Sequence, residues 1–218
     1  MKHTGLKKKL LYASKLYLIL DLNVAVTSPL YIIKKIADKK AIDIVQLRDK
    51  SLNKVRFFSL AKDIKFFLKK SHILFIINDY IDIAESLDAD GIHLGQSDLP
   101  LPLARRLLGK DKIIGLSCHS FKEAKEAEQM GADYISIGPI FKTPIKSEYL
   151  PLGTNILKRI SQSIKIPFFC IGGINFSNIN RLKDEYGVEK FAFCRLLCAK
   201  KNLDTALNQL RIIKNDPM

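Results

Sequence analysis

Apolar residues in this chain gather into short, near-continuous runs. Between the runs lie longer stretches whose apolar positions recur at a helical spacing. Eight runs stand out, at residues 16–20, 42–47, 73–77, 91–94, 113–117, 134–137, 167–171 and 190–194. Each is rich in Val, Ile, Leu, Phe or Tyr and shows little alternation, the pattern of parallel strands covered on both faces. The intervening segments read as amphipathic helices. Residues 53–70 place Val55, Phe58, Ala61, Ile64, Phe67 and Leu68 near a 3.6-residue period. Ser120, with Glu123 three residues on and Gly131 at the end, spells a capping box and a helix stop. Ser177 and Gly187 repeat the same start and stop.

Eight strand–helix units predict an α/β protein of the (β/α)8 TIM-barrel type, one domain over residues 1–218 with residues 1–14 as a basic helix or extension. A doubly wound open sheet is the rival architecture. It loses its best cue because no GxGxxG follows the first strand.

Composition narrows the class. The chain is 47% hydrophobic and 27% charged, as expected of a globular protein, and has no apolar run long enough to span a membrane. Its first residues are basic and then apolar, but Lys15 and Asp21 interrupt the pattern and no small-residue cleavage site follows, so the expected location is cytoplasmic. The formal net charge of +14 favours anionic partners. No basic patch is interleaved with aromatics, which argues against nucleic acid and for phosphorylated small molecules. A homo-oligomer stays open. Cys118, Cys170, Cys194 and Cys198 show no CxxC spacing and read as buried free thiols rather than a zinc site.

In a barrel of this kind the active site lies at the C-terminal ends of the strands. Those positions carry Gln46, Arg48 and Lys50 after the second run, Asn78 and Asp79 after the third, and His93, Gln96 and Asp98 at the fourth. Ser117 and His119 follow the fifth, Thr143 and Lys146 the sixth, Gly172 and Gly173 the seventh, and Arg195 the eighth. Singly, each has a plain structural reading. Asp79 and Asp98 suit helix N-caps, Arg48 and Lys50 a solvated loop, His93 a core histidine, and the glycine pair a turn. Together on one rim they suit a diphosphate: Arg grips phosphate in bidentate fashion, Lys acts as a point charge, and two carboxylates hold Mg²⁺ against phosphate oxygens.

The ordered set "VQLRDK", "IINDYIDIA", "ADGIHLGQSDLP", "IIGLSCHSFKEAKEAEQMGADYISIGPIFKT", Lys146 and "IPFFCIGGIN" resembles the thiamine-phosphate synthase family over about residues 16–197. The resemblance implies Mg²⁺-dependent coupling of hydroxymethylpyrimidine diphosphate to thiazole phosphate with release of diphosphate. It implies that Gln46 contacts the pyrimidine, that Arg48, Lys50, Asn78 and Lys146 hold the diphosphate, and that Asp79 and Asp98 ligate Mg²⁺. Ser117 would lie beside the pyrimidine and diphosphate; Thr143 with Gly172 and Gly173 would bind the thiazole phosphate. Ser117, Lys146, Arg48 and Lys50 are the catalytic set so implied. The chain departs from the family pattern at Asp49, Tyr80, Ile145, Lys190 and Arg195; two readings of the last two stand side by side, a cation that binds the thiazole phosphate in place of lost hydroxyls and a different second substrate. Two other readings share the barrel: a thiazole tautomerase using His119, and a non-catalytic barrel that binds a thiamine precursor.

Overall fold

The computed structural model describes residues 2–145 and 149–215, so Lys146 lies outside the described residues. Eight strands close into a barrel in the order β1 to β8. They are β1 (Leu16–Asp21), β2 (Ile44–Arg48), β3 (Leu74–Asn78), β4 (Gly91–Leu94), β5 (Ile113–Cys118), β6 (Tyr134–Ile137), β7 (Phe168–Cys170) and β8 (Phe191–Phe193). Neighbours pair in parallel all the way round, β8 returning to β1. The helices α2 (Pro29–Lys39), α3 (Lys54–Leu68), α4 (Ile81–Ser86), α5 (Leu101–Leu108), α6 (Phe121–Gln129), α7 (Asn155–Ser163) and α8 (Ile179–Tyr186) alternate with the strands. Before β1 comes α1 (Lys2–Ala13), and after β8 come α9 (Arg195–Cys198) and α10 (Asp204–Asn215). No helix among the described residues is long and apolar enough to cross a membrane.

The apolar runs are continuous because each strand buries side chains on both faces. Outward-facing residues such as Leu18, Val45 and Ile92 pack under the helices, whereas Tyr17, Ile44, Ile76, Ile113, Tyr134 and Phe169 fill the barrel interior. Leu11 of α1 joins the interior set, so that helix stoppers the N-terminal end of the barrel.

Acids at this lower end are structural. Asp43, Asp90 and Asp133 stand just before β2, β4 and β6, and each accepts a backbone N–H from the neighbouring strand: Leu16, Phe75 and Ile114 respectively, at 2.9–3.0 Å. Each is also paired with lysine, Lys214, Lys7 or Lys8. Fastening the strand starts in this way leaves the opposite rim to carry chemistry.

Three expectations need correction. In α3 the buried face is Phe57, Ala61, Ile64 and Leu68, while Val55 is 78% exposed and Phe58 lies at the surface. Ala61, Ile64 and Leu68 hold the predicted face, and in the first turn Phe57 turns inward in place of Val55 and Phe58. Ser177 is not an N-cap: Asn178 occupies that position, and Ser177 instead donates its N–H and hydroxyl to Asn175 Oδ1. Lys190 does not approach the upper rim. It precedes β8, and its ammonium donates to the carbonyls of Tyr12 and Ser14 at 2.6 and 2.7 Å, fastening α1 to the bottom of the barrel. The Ser120 cap is as expected, accepting from Glu123 N at 3.1 Å, and the Glu123 carboxylate returns to His119 N at 2.6 Å. All four cysteines are buried and free.

Candidate active site at the C-terminal rim

A cavity of about 430 Å³ opens at the C-terminal ends of the strands. Gln46, Arg48, Asn78, Ser117, Thr143, Gly172, Gly173 and Arg195 line it, so eight predicted site residues from six different strand ends meet in one space.

The strand ladders position the first of these. Gln46 and Asn78 are the inward-facing residues near the ends of β2 and β3 and are buried. Arg48 ends β2 directly beside Asp21, which ends β1, and its guanidinium pairs with that buried carboxylate. The pairing fixes the guanidinium plane at the cavity wall while one positive charge is already partly balanced. Asp49, the departure after Arg48, turns out to build the next loop: its Oδ1 accepts from Ser51 N, Ser51 Oγ and Leu52 N at 2.5–2.9 Å. Lys50 rides on that loop, close enough with Arg48 to act electrostatically on Asp79.

Asp79 and Asp98 converge. Asp79 adopts φ 61°, the left-handed region that Asp tolerates better than most residues, and its N–H donates to His93 O at 3.0 Å. Tyr80, not Asp79, holds the N-cap position of α4, and Pro100, not Asp98, holds that of α5, so neither acid is a helix cap. Asp98 is drawn inward by Gly95 N–H, 2.6 Å from its Oδ2. The two carboxyl groups are within hydrogen-bonding reach of each other. Burial first, and Asp98 second, push the Asp79 carboxyl up to about 6, with Lys50 and Arg48 pulling the other way. Two carboxylates that repel in this manner beside a cationic wall fit a hard divalent cation, which would relieve the repulsion and take further oxygens from a phosphate. Tyr80, where the family pattern has a second Asp, packs edge-on against Phe57 with ring centroids 5.0 Å apart and carries Lys54 over its face. That departure therefore falls on the helix layer and leaves the carboxylate pair intact.

The opposite wall is backbone. Gly172 and Gly173 have φ 93° and 67°. A Cβ on Gly172 would lie 2.4 Å from Pro139 Cα, and one on Gly173 2.6 Å from Phe141 Cβ. Glycine is required there on both counts. The close approach lets Ile140 N and Phe141 N donate to Ile171 O and Gly172 O at 2.8 and 3.0 Å. Gly173 O accepts from the Asn175 and Asn178 side chains. Among the described residues neither glycine N–H finds an acceptor, which suits a bound anion. Thr143, Arg195 and Lys200 close this end of the cavity.

Sequence reasoning named His119 only for the tautomerase reading, and it passed over Asp21, Tyr17, Tyr134 and Ser136. His119 lines the cavity, donates from Nδ1 to Gly138 O at 2.6 Å, and stacks on Tyr149 with centroids 4.1 Å apart. Gln96, another rim residue, donates to Ser117 O at 2.6 Å and steadies the end of β5.

Comparison with known proteins gives the same direction. The family model described as thiamine monophosphate synthase matches residues 16–197. A thiamine-phosphate synthase of Syntrophomonas wolfei is 42% identical over 91% of this chain and 95% of its own length. One from Clostridium acetobutylicum is 43% identical over 93% and 96%. The solved structure of a thiamine phosphate pyrophosphorylase from Pyrococcus furiosus superposes with a TM-score of 0.83 at 31% identity, covering 96% of this chain and 97% of that one. With its barrel, its upper-rim cavity and a match running from β1 to α9, the chain belongs to the thiamine monophosphate synthase family.

Proposed function

We propose that this protein is a transferase that joins hydroxymethylpyrimidine diphosphate to thiazole phosphate, giving thiamine phosphate and diphosphate. The observation that carries the reading is the convergence of Asp79 and Asp98, which stand outside the residues lining the cavity but within electrostatic reach of Lys50 and of Arg48 on its wall. Asp79 and Asp98 would hold Mg²⁺, which when bound neutralises diphosphate charge.

The chain's own groups account for the rest. Gln46, deep in the cavity, orients the pyrimidine. Arg48, Lys50, Asn78 and Lys146 receive the diphosphate. As the bond from the pyrimidine methylene to the diphosphate oxygen breaks, the electron pair leaves with the diphosphate and the methylene cation is delocalised into the ring. The cations on the wall stabilise the charge that develops on the leaving oxygen, the main catalytic contribution in a site without a nucleophile. The thiazole nitrogen, held by its phosphate on Gly172, Gly173, Thr143 and Arg195, supplies the pair for the new C–N bond. Four buried free thiols fit a reducing compartment and support a cytoplasmic location.

Incubation of the purified protein with both substrates and Mg²⁺ tests the reading. Thiamine phosphate is the expected product. Isomerisation of a thiazole carboxylate phosphate alone would point to the tautomerase reading, with His119 as the acid or base. Binding without turnover would leave a precursor-binding barrel.

A further inference from the structure

Beneath the cavity floor a chain of hydrogen bonds crosses the barrel interior. Gln46 Nε2 donates to the Tyr17 hydroxyl at 2.7 Å. The Tyr17 and Tyr134 hydroxyls are 2.8 Å apart. Tyr134 Oη lies 2.9 Å from His93 Nδ1, and His93 Nε2 lies 2.9 Å from Ser117 Oγ, with Ser136 Oγ at 3.4 Å. Tyr17, Gln46, His93, Tyr134 and Ser136 are buried. The chain thus runs from β2 through β1, β6 and β4 to β5; Gln46, His93, Ser117 and Ser136 line the cavity, and Tyr17 and Tyr134 do not.

Its polarity follows from one end. The Tyr17 oxygen accepts the Gln46 N–H, so its own proton goes to Tyr134. The Tyr134 oxygen accepts, so its proton goes to His93 Nδ1. A histidine whose Nδ1 accepts carries its proton on Nε2. That N–H faces the Ser117 oxygen, and the serine is left with a hydroxyl proton to give to whatever occupies the cavity. Burial pushes the Tyr17 and Tyr134 phenols well above the ordinary tyrosine range, so both keep the protons the chain needs. A gap in the strand makes room for it: a Cβ on Gly115 would lie 2.0 Å from the Tyr134 ring. The chain occupies space that an apolar core would fill, and a fully satisfied buried network of this kind specifies one arrangement.

We propose that Tyr17, Tyr134 and His93 are positioning residues that couple Gln46 to Ser117 through one directional hydrogen-bond chain, so that the amide holding the pyrimidine also makes Ser117 a hydrogen-bond donor to the leaving diphosphate. The proposal rests on the synthase reading for what fills the cavity. It goes beyond that reading in assigning a tautomer to His93 and a shared task to two tyrosines that touch no substrate. Turning the Gln46 amide over reverses every bond and makes Ser117 donate to His93 instead, so the amide orientation and the serine's donor role are a single choice.

Two measurements test it. In the wild-type protein, ¹⁵N–¹H correlation through the imidazole ring reads the His93 tautomer, with the signal assigned by replacing the other three histidines one at a time. The Nε2–H form is expected, and the Nδ1–H form overturns the polarity whether or not the synthase reading holds. The second is kinetic. Tyr17→Phe and Tyr134→Phe should each lower kcat about tenfold, the size of one lost hydrogen bond, with KM for the thiazole phosphate unchanged. The double variant should be no worse than either single one, and Tyr134→Phe should have no further effect in a Ser117→Ala background. Additive losses, or an undiminished effect without Ser117, would mean that the tyrosines only fill the core. If the wild-type protein forms no thiamine phosphate, the synthase reading fails while the tautomer measurement still decides the chain.

Discussion

The carboxyl groups of Asp79 and Asp98 meet across the ends of β3 and β4, and the meeting is unfavourable in the absence of a cation. The sign of the resulting pH dependence follows from the direction of the Asp79 shift. Its folded pKa, about 6, lies above the ordinary 3.8. The contribution of this group to stability is therefore fully present below about pH 4 and is lost as the pH rises through about 6. Asp98→Asn removes the neighbouring charge. At pH 7 without metal the variant should melt higher than the wild type, by roughly 2–4 °C, the shift that ~1 kcal/mol gives in a domain of this size. Calorimetry with a chelator checks it; an equal or lower Tm would mean that the acids do not repel.

The same pair predicts a loss of function that is not a loss of folding. Asp79→Asn and Asp98→Asn should each depress Mg²⁺-dependent turnover by about 100-fold or more, the range found when one group stabilising transition-state charge is removed. Circular dichroism should be unchanged. Retained Mg²⁺-dependent turnover in both variants would refute the metal assignment and the diphosphate geometry built on it.

Arg195 is exposed at the start of α9 yet faces the cavity near Thr143 and the glycine wall. If its guanidinium takes over from the small hydroxyl residue of the family pattern, Arg195→Ala should raise KM for the thiazole phosphate about tenfold, as expected for one charge-assisted hydrogen bond, and leave KM for the pyrimidine diphosphate alone. Steady-state kinetics with each substrate varied in turn reads the split. Equal effects on both substrates would place Arg195 at the diphosphate instead.

The eight strands and the rim residues were legible because both signals are local. A parallel strand buried on two faces is a continuous apolar run, and in a barrel whatever follows the run lies at the active end. Asp79 and Asp98 could be paired by this rule alone. The rule also accounts for the misplacement of Lys190, which precedes its strand and so belongs to the structural end with Asp43, Asp90 and Asp133. Tyr17 and Tyr134 were not legible. Within their strands they look like ordinary core aromatics, and their hydroxyls meet only because closure of the barrel brings together residues far apart in the sequence. Asp21 was hidden similarly, since its partner Arg48 sits one strand away and only the β1–β2 register aligns them. The α3 stripe held at Ala61, Ile64 and Leu68 and failed in its first turn, where adjacent Phe57 and Phe58 offered two helical faces and the fit against the barrel decided between them.

Gly172→Ala should damage both fold and site. A methyl group there would collide with Pro139 Cα at 2.4 Å, and φ 93° is disfavoured for any residue with a Cβ. Backbone strain of this type costs about 1–3 kcal/mol. The expected outcome is a lower Tm together with a raised KM for the thiazole phosphate, because moving the β7 loop also moves the N–H groups that face the cavity. Thermal melts and kinetics on the same preparation check both parts, and a normal KM in a destabilised protein would take the glycine wall out of phosphate binding.

Lys190→Met supplies the opposite control, a cation whose loss should affect only folding. Its ammonium donates to the carbonyls of Tyr12, in the last turn of α1, and Ser14, just after it, and burial lowers its pKa, so the charge is held there at a cost that the two hydrogen bonds offset. Methionine keeps most of the stem's packing but leaves the carbonyls of Tyr12 and Ser14 without this donor. Each such loss in a partly buried setting costs about 1–3 kcal/mol. The helix α1, whose Leu11 plugs the barrel, should loosen, exposing its basic residues to trypsin before the rest of the chain unfolds. Limited proteolysis should therefore cut the variant in α1 faster than the wild type, while KM for both substrates stays the same. A raised KM for the thiazole phosphate in Lys190→Met would contradict the placement of this lysine at the lower end and return it to the phosphate site.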